Sequence, residues 1–253
     1  MQSKISKNIW SSPKKMGLRD NRLIARKVHQ NLGDSLFKTQ TSAKWTDITK
    51  HLNGALRVQI QHEDSKGVTP KMIKWWFENL AQKTTWNGKN FSGPEVSFYH
   101  LWHHRDHIAV QPLSNPKEGK NNGFAVGAYS KIQEQFNDFN EIINNKMLTI
   151  TLDETEFTFL IKFGFLTVGR INHYYEPSEN GSTFYAETYI GVDIPVLGWI
   201  INWCFLPFVF SKKTAEHWIK HNIEETGQTE KIVPFLYHHY NNCLLYTSPS
   251  PRD

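Results

Sequence analysis

Large apolar residues occupy every second position from Phe157 to Phe165 (Phe157, Phe159, Ile161, Phe163, Phe165). Successive side chains of an extended chain point to opposite sides, so this period of two predicts a strand with one buried face. The same period recurs in Leu56, Val58 and Ile60, which alternate with Arg57, Gln59 and Gln61. It recurs again in Val126, Ala128, Ser130, Ile132, Glu134 and Phe136, which share one face. Thr183 to Val192 supplies a further strand after the turn signal Glu179-Asn180-Gly181. Two segments read as helices. One opens at Val68-Thr69-Pro70, with Thr69 as N-cap and Pro70 in first position, and carries Met72, Ile73, Trp75, Trp76 and Phe77. The other runs from Lys212 to about Thr226, with Ser211 as N-cap and Gly227 as its stop. The order is strand, helix, several antiparallel strands, then a long helix. With no βαβ alternation, the fold class is α+β.

Composition sets the remaining bounds. A chain of 253 residues with 39% hydrophobic and 21% charged residues has enough apolar material for a real core. An aromatic share of 13% suggests an aromatic-lined interior or pocket. The net charge is +5, and the first 30 residues hold eight Lys and Arg against one acid. The remainder is nearly balanced, which disfavours a nucleic-acid-binding face. Two cysteines, Cys204 and Cys243, without a CxxC spacing argue against a disulfide framework or a thiolate zinc site and make a reducing, cytoplasmic setting the default. The N-terminus lacks the apolar stretch of a secretory signal; its basic, Ser-containing character leaves an organellar transit peptide as the alternative. Ile194 to Phe210 runs 17 residues without a charge, interrupted by Pro195, Gly198, Asn202 and Pro207. That is the short end of the roughly 17–25 residues a bilayer requires. The expectation is a buried or lid-like apolar loop and no stable membrane span, with interfacial membrane contact as the alternative. Residues 1–54 read as a basic arm with one or two short helices, and Leu244 to Asp253 as a compositionally foreign tail.

Three features carry chemistry. His221 and Glu225 stand at i and i+4 on the last helix, so both project from one face, with His217 on that face and Glu224 one residue off it. A solvated His–Glu pair and half of a metal site with nitrogen and oxygen donors both fit this spacing. Glu134 lies in phase with Ile132 and Phe136, the face expected inside. A lone carboxylate there needs an ion pair or a cation. The segment Trp102-His103-His104-Arg105-Asp106-His107 offers His107 and His103 as ligands, with Asp106 able to orient an imidazole. Nitrogen and oxygen donors from three remote elements suit Zn²⁺, and less easily Mn²⁺ or Fe²⁺.

Four segments carry a family resemblance. They are Val68-Thr69-Pro70 to Trp75-Trp76-Phe77, Tyr99-x-x-Trp102-His103-x-x-Asp106-His107, Ile132-x-Glu134-x-Phe136, and Trp218-Ile219-x-His221-Asn222-x-x-Glu225-x-Gly227 running on to Pro234-x-Leu236-Tyr237. In this order, over roughly residues 55–240, they resemble the 2,4-diacetylphloroglucinol hydrolase family, which also contains phloretin hydrolase. The resemblance implies a helix-grip (Bet v 1-like) catalytic domain over 55–242, in which a curved antiparallel sheet surrounds the long C-terminal helix. It also implies a smaller N-terminal part that helps form a homodimer. Carried over motif by motif, the zinc ligands are His107, Glu134, His221 and Glu225, with Glu141 as a substitute for Glu134. Tyr99 matches a tyrosine that hydrogen-bonds the substrate, and His173 a histidine near the acyl group. The implied partner is a small phenolic ketone, whose acyl–ring carbon–carbon bond is hydrolysed. Departures touch the pocket. His104 stands where the family usually has Pro, and Ala186-Glu187-Thr188-Tyr189 replaces the Ser-Arg-aromatic pattern of that strand. Two other readings stay open: a non-catalytic carrier of an apolar or aromatic ligand, and a metal-dependent esterase on the same scaffold. Trp75, Trp76 and Phe77 are expected either as pocket walls or as core.

Overall fold

The computed structural model describes residues 13–33, 37–113 and 122–245. Its centre is a sheet of nine strands, with every pairing antiparallel. In chain order these are β1 (Trp45–Lys50), β2 (Leu56–Gln61), β3 (Ser65–Lys66), β6 (His107–Pro112), β7 (Tyr129–Phe136), β8 (Glu141–Leu152), β9 (Glu156–Phe163), β10 (Leu166–Ser178) and β11 (Gly181–Ile190). A separate hairpin is formed by β4 (Lys83–Thr84) and β5 (Val96–Ser97). The order across the sheet is β1-β2-β11-β10-β9-β8-β7-β6, with β3 attached to β11. Consecutive strands from β6 to β11 are joined by local connections, and β2 closes on β11 from the other side. Gly181 opens β11 because Ser65 O would lie 2.0 Å from a Cβ there, so no other residue allows β3 to pair.

Among the described residues six α-helices accompany the sheet: α1 (Pro13–Asn31), α2 (Pro70–Asn79), α3 (Phe98–Trp102), α4 (Leu197–Cys204), α5 (Leu206–Val209) and α6 (Lys212–Leu245). The caps of α2 and α6 are as the sequence predicts: Met72 N–H donates to Thr69 Oγ1 at 3.3 Å, and Thr214 N–H to Ser211 Oγ at 3.1 Å. Helix α6 has 34 residues, about 50 Å at 1.5 Å per residue, and packs along the sheet through Ala215, Ile219, Ile223, Ile232, Val233 and Leu236. A curved antiparallel sheet gripping a long C-terminal helix is the helix-grip, Bet v 1-like architecture.

Several expectations need correction. Gly227 does not stop the last helix, which continues through Gly227 and Pro234 to Leu245 because burial against the core outweighs the weak propensity of both. The boundary at residue 54 falls inside the sheet, since β1 lies within the supposed arm and pairs with β2 from Trp45↔Gln61 to Lys50↔Leu56. β1 escapes notice because it is an edge strand with mostly exposed residues and no apolar face. Of the five alternating apolar residues of the Phe-rich strand, Phe157, Phe159 and Ile161 are buried. The strand ends at Phe163, and the turn at Gly164 (φ +59°) leaves Phe163 and Phe165 outside the core. Val126 precedes β7 and is exposed. The tail from residue 246 lies outside the described residues.

Candidate metal centre

Register brings the first two site residues together. In the β6–β7 pair His107 stands directly opposite Glu134, with a bulge between His107 and Ala109. Opposed residues on one sheet face have Cβ atoms about 5 Å apart, so a cross-strand histidine and carboxylate meet by geometry alone. Helix α6 crosses this face and contributes His221 and Glu225 from one turn. His107 Nε2 lies 3.3 Å from Glu225 Oε2 and 3.9 Å from Glu134 Oε1. His221 Nε2 lies 3.6 Å from Glu225 Oε2 and 3.9 Å from Glu134 Oε2. All four side chains are buried. Sequence reasoning places these four residues in one site, and the chain brings them into one cluster.

The outer nitrogens fix the inner ones. His107 Nδ1 donates to the Tyr99 carbonyl at 2.6 Å, and His221 Nδ1 donates to Asp106 Oδ2 at 3.2 Å. When each ring is neutral its Nε2 therefore turns a lone pair into the cluster, where neither Nε2 has a hydrogen-bond partner. Orphaned buried acceptors are costly, and a ligand that binds lone pairs relieves that cost. His107, His221 and Glu225 each offer one ligand atom within 4.8 Å of the others, and Glu134 faces the two imidazoles with different oxygens, each 3.9 Å from an Nε2. The donor set fits a divalent cation.

Electrostatics points the same way. Burial pushes the Glu225 carboxyl up to about 8 despite the opposing pull of His221, and raises Glu134 as well. Burial drives His107 well below the usual imidazole range. For His221 burial acts downward, but Glu225, the Asp106 hydrogen bond and Glu134 together outweigh it and hold the ring up at about 9. Burial thus disfavours the ionised form of both carboxyls, and a divalent ion between them would favour it.

Around this cluster lies a ring of positioning contacts. Asp106 Oδ1 accepts from Arg105 Nε at 3.0 Å and Gln135 Nε2 at 3.1 Å, leaving Oδ2 for His221. Glu225 Oε1 accepts from Asn222 Nδ2 at 2.8 Å, and Asn222 Oδ1 accepts from His62 Nε2 at 3.0 Å. The Asp106 role follows the sequence expectation; Asn222 and His62 were missed. Asn222 stands three residues before Glu225, a spacing that signals a helical contact, whereas nothing local marks His62. His103 lies outside the four-residue cluster, but it forms with Asp106 and His221 a second buried group whose ligand atoms lie within 4.8 Å of one another. Its Nδ1 accepts the Asp106 N–H at 3.0 Å and its Nε2 donates to Glu224, which Arg105 also pairs. His217 and Glu141 pair with one another at 2.8 Å, so Glu141 does not stand in for Glu134. The segment 98–107 is itself braced by α1, from which Arg22 Nε donates to His104 O at 2.8 Å and His29 Nε2 donates to Leu101 O at 2.6 Å.

Tyr99 stacks on His107 at 3.7 Å between ring centroids and donates its hydroxyl to Glu134 Oε1 at 2.6 Å. Burial and the Glu134 charge hold that phenol protonated. Beyond Glu134 a cavity of about 60 Å³ opens between the sheet and α6, walled mainly by Phe136, Phe159, Phe210, Trp218, Ile171 and Met147. Trp76 and Phe77 are core residues instead, Trp76 stacked on Phe98 and Phe77 edge-to-face with Trp102, and Trp75 packs against Tyr237. His173 lies two residues along β10 from the cavity-lining Ile171, among Phe77, Phe157, Phe159 and Phe184 and apart from the four-residue cluster. Burial pushes it down to about 4, so it is neutral at pH 7.

No protein-family profile matches the chain. No curated protein matches it either. Among solved structures, the di-domain ARO/CYC BexL from the BE-7585A biosynthetic pathway aligns at a TM-score of 0.43 and 8% identity, over 72% of this chain and 50% of that one. The chain thus spans half the length of that protein. Ara h 8.0201 aligns at 0.37 and 12%, over 68% and 95%. A protein from Nitrosomonas europaea aligns at 0.37 and 10%, over 72% and 97%. At such scores these likenesses carry no argument about activity, and the helix-grip description rests on the strand order and the gripped helix. Among the described residues no helix is long and apolar enough to cross a membrane.

Proposed function

We propose that this chain is a zinc-dependent hydrolase that cleaves the carbon–carbon bond between an acyl group and a polyphenolic ring. The substrate is diacetylphloroglucinol-like or β-diketone-like, and a carboxylic acid is released. The observation that carries the proposal is the pair of buried Nε2 atoms, free of hydrogen bonds and aimed at two carboxylates no more than 3.9 Å away. The resemblance of the motifs around these residues supplies the substrate class.

His107, Glu134, His221 and Glu225 would hold Zn²⁺, which when bound supplies Lewis acidity toward a carbonyl and acidifies water. In the net reaction a water oxygen bonds to the acyl carbon, and the acyl–ring bond breaks with its electron pair passing to the ring. The ring carbon then takes up a proton. A polyhydroxylated ring accepts that pair because its keto tautomer makes the substrate a β-diketone. Tyr99 is a neutral phenol hydrogen-bonded to the cavity-lining Glu134, able to turn its proton from Glu134 to a ring oxygen. His173 Nδ1 is buried without a partner, and a neutral imidazole there can carry a proton. The aromatic walls exclude water from the leaving ring. The cavity is well below the ~300 Å³ at which ligand pockets begin, so a substrate must displace a wall. Phe210, at the end of the segment that follows β11, is the wall outside the sheet and the long helix.

The test is incubation of zinc-loaded protein with acylphloroglucinols, following free carboxylic acid and deacylated ring. Equal amounts of both support the proposal, and no turnover across several such ketones overturns the substrate class. Cleavage of esters alone assigns a metal-dependent esterase. A folded protein that takes up no zinc but retains an aromatic ligand is a carrier.

A further inference from the structure

Apart from Gly198, Asn202 and Phe210, little of the uncharged segment from Ile194 to Phe210 is buried. It forms α4 and α5, and Val196, Phe205, Phe208 and Val209 expose between 62% and 89% of their surface. Trp199 and Trp203 are each 52% exposed. The patch extends over two hairpin tips. Phe165, 90% exposed at the β9–β10 turn, lines a surface groove together with Ile194, and Trp203 Nε1 donates at 3.2 Å to the carbonyl of Leu52, which is 88% exposed. Val196 holds φ at +63°, a conformation that a β-branched residue rarely adopts, where the segment turns outward. Apolar surface this extensive marks an interaction site.

The rim of the patch is cationic. The Lys50 ammonium lies 3.8 Å over the Trp203 ring, Lys212 and Lys213 are exposed just beyond Phe210, and Arg170 is exposed on the groove; Asp193 is the exposed acid at the other end of the segment. We infer that this face docks on an anionic phospholipid bilayer, with the aromatic side chains in the interface and the lysines against the headgroups. Helices of eight and four residues are too short to cross, so the segment lies in the interface plane. Half-exposed tryptophans suit the headgroup level. A second copy of the chain fits less well, because a two-fold interface sets the patch against itself and so sets one cationic rim against another. Ile190 and Phe210, which flank the segment, also wall the internal cavity, so docking places that wall at the bilayer and gives membrane-partitioned compounds a route to it. The docking itself does not depend on the metal centre.

The test is co-sedimentation of the full chain with vesicles of phosphatidylcholine alone and of phosphatidylcholine mixed equally with phosphatidylglycerol, at low salt. The wild type should sediment with the mixed vesicles. The Trp199→Ser/Phe208→Ser variant, with an unchanged melting temperature, should partition at least about tenfold less. Lys212→Glu/Lys213→Glu should lower binding to the mixed vesicles by about fivefold per lysine and leave phosphatidylcholine binding unchanged. This variant remains decisive if the apolar one does not fold. The inference is overturned by a wild type that stays in the supernatant, by wild-type partitioning of both variants, or by sedimentation velocity showing a dimer that W199S/F208S dissolves.

Discussion

The cluster around His221 and the segment from Ile194 to Phe210 depart from ordinary burial in opposite directions. In the first, two imidazoles and two carboxylates sit in the core with almost no contact with water. In the second, tryptophans and phenylalanines face solvent. Each arrangement is unfavourable alone, since dry charge and wet aromatic surface both cost free energy. The difference lies in what surrounds them. The buried cluster is held by hydrogen bonds to Tyr99 O, Asp106 and Asn222, a preorganised set awaiting one small partner. The exposed segment makes few such bonds beyond the Trp203–Leu52 contact and the Asn202 pair with the Val192 backbone, which suits a broad and fluid partner.

That contrast can be broken most directly at His221. His221→Ala should leave no bound zinc by metal analysis and no turnover of acylphloroglucinol, because the site loses one of its two imidazole donors. Retention of full zinc would remove the cluster as a metal site. Asp106→Ala should retain the fold but weaken zinc binding by about 10–100-fold in calorimetry, the range for losing a group that orients a ligand.

His173→Phe tests whether the imidazole on β10 is tuned by its aromatic surroundings alone. Its folded pKa of about 4 lies below the unfolded value of 6.5, so the unfolded chain binds the extra proton between those values and wild-type stability falls with pH through that window. From pH 7 to pH 5 the variant should therefore gain about 2 kcal/mol over wild type in denaturant unfolding. A constant difference across that range would show that His173 is not held neutral by burial.

The smallest effect should come from the exposed side. Trp199→Ala should change unfolding free energy by no more than about 0.5 kcal/mol, since it removes little packing in water. A loss of several kcal/mol would show that the segment is a structural cover.

Much of the site was legible because its signals are local. Spacing placed His221 and Glu225 on one helical face, and phase placed Glu134 on the buried face of its strand. Asp106 could be assigned to an imidazole from its place beside His107. His103 looked as good a ligand as His107 in one dimension. Only the turn after α3 and the β6–β7 register decide between them, sending His107 opposite Glu134 and His103 toward Glu224. Edge strand β1 stayed hidden because it has no apolar face. The exposure of Ile194–Phe210 was misread because hydropathy predicts burial without saying whether any surface is left to bury against.

What the sequence determined by itself is the alternation of apolar residues, the caps at Thr69 and Ser211, and the chemical nature of the four donors. These depend on neighbours within a few positions, where backbone geometry is fixed. Only tertiary structure decided that the four donors converge, that α6 runs past Gly227, and that the aromatic segment faces outward. Those outcomes depend on which distant surfaces meet, and burial energy is set by contacts between residues such as His107 and Glu225 that lie more than a hundred positions apart.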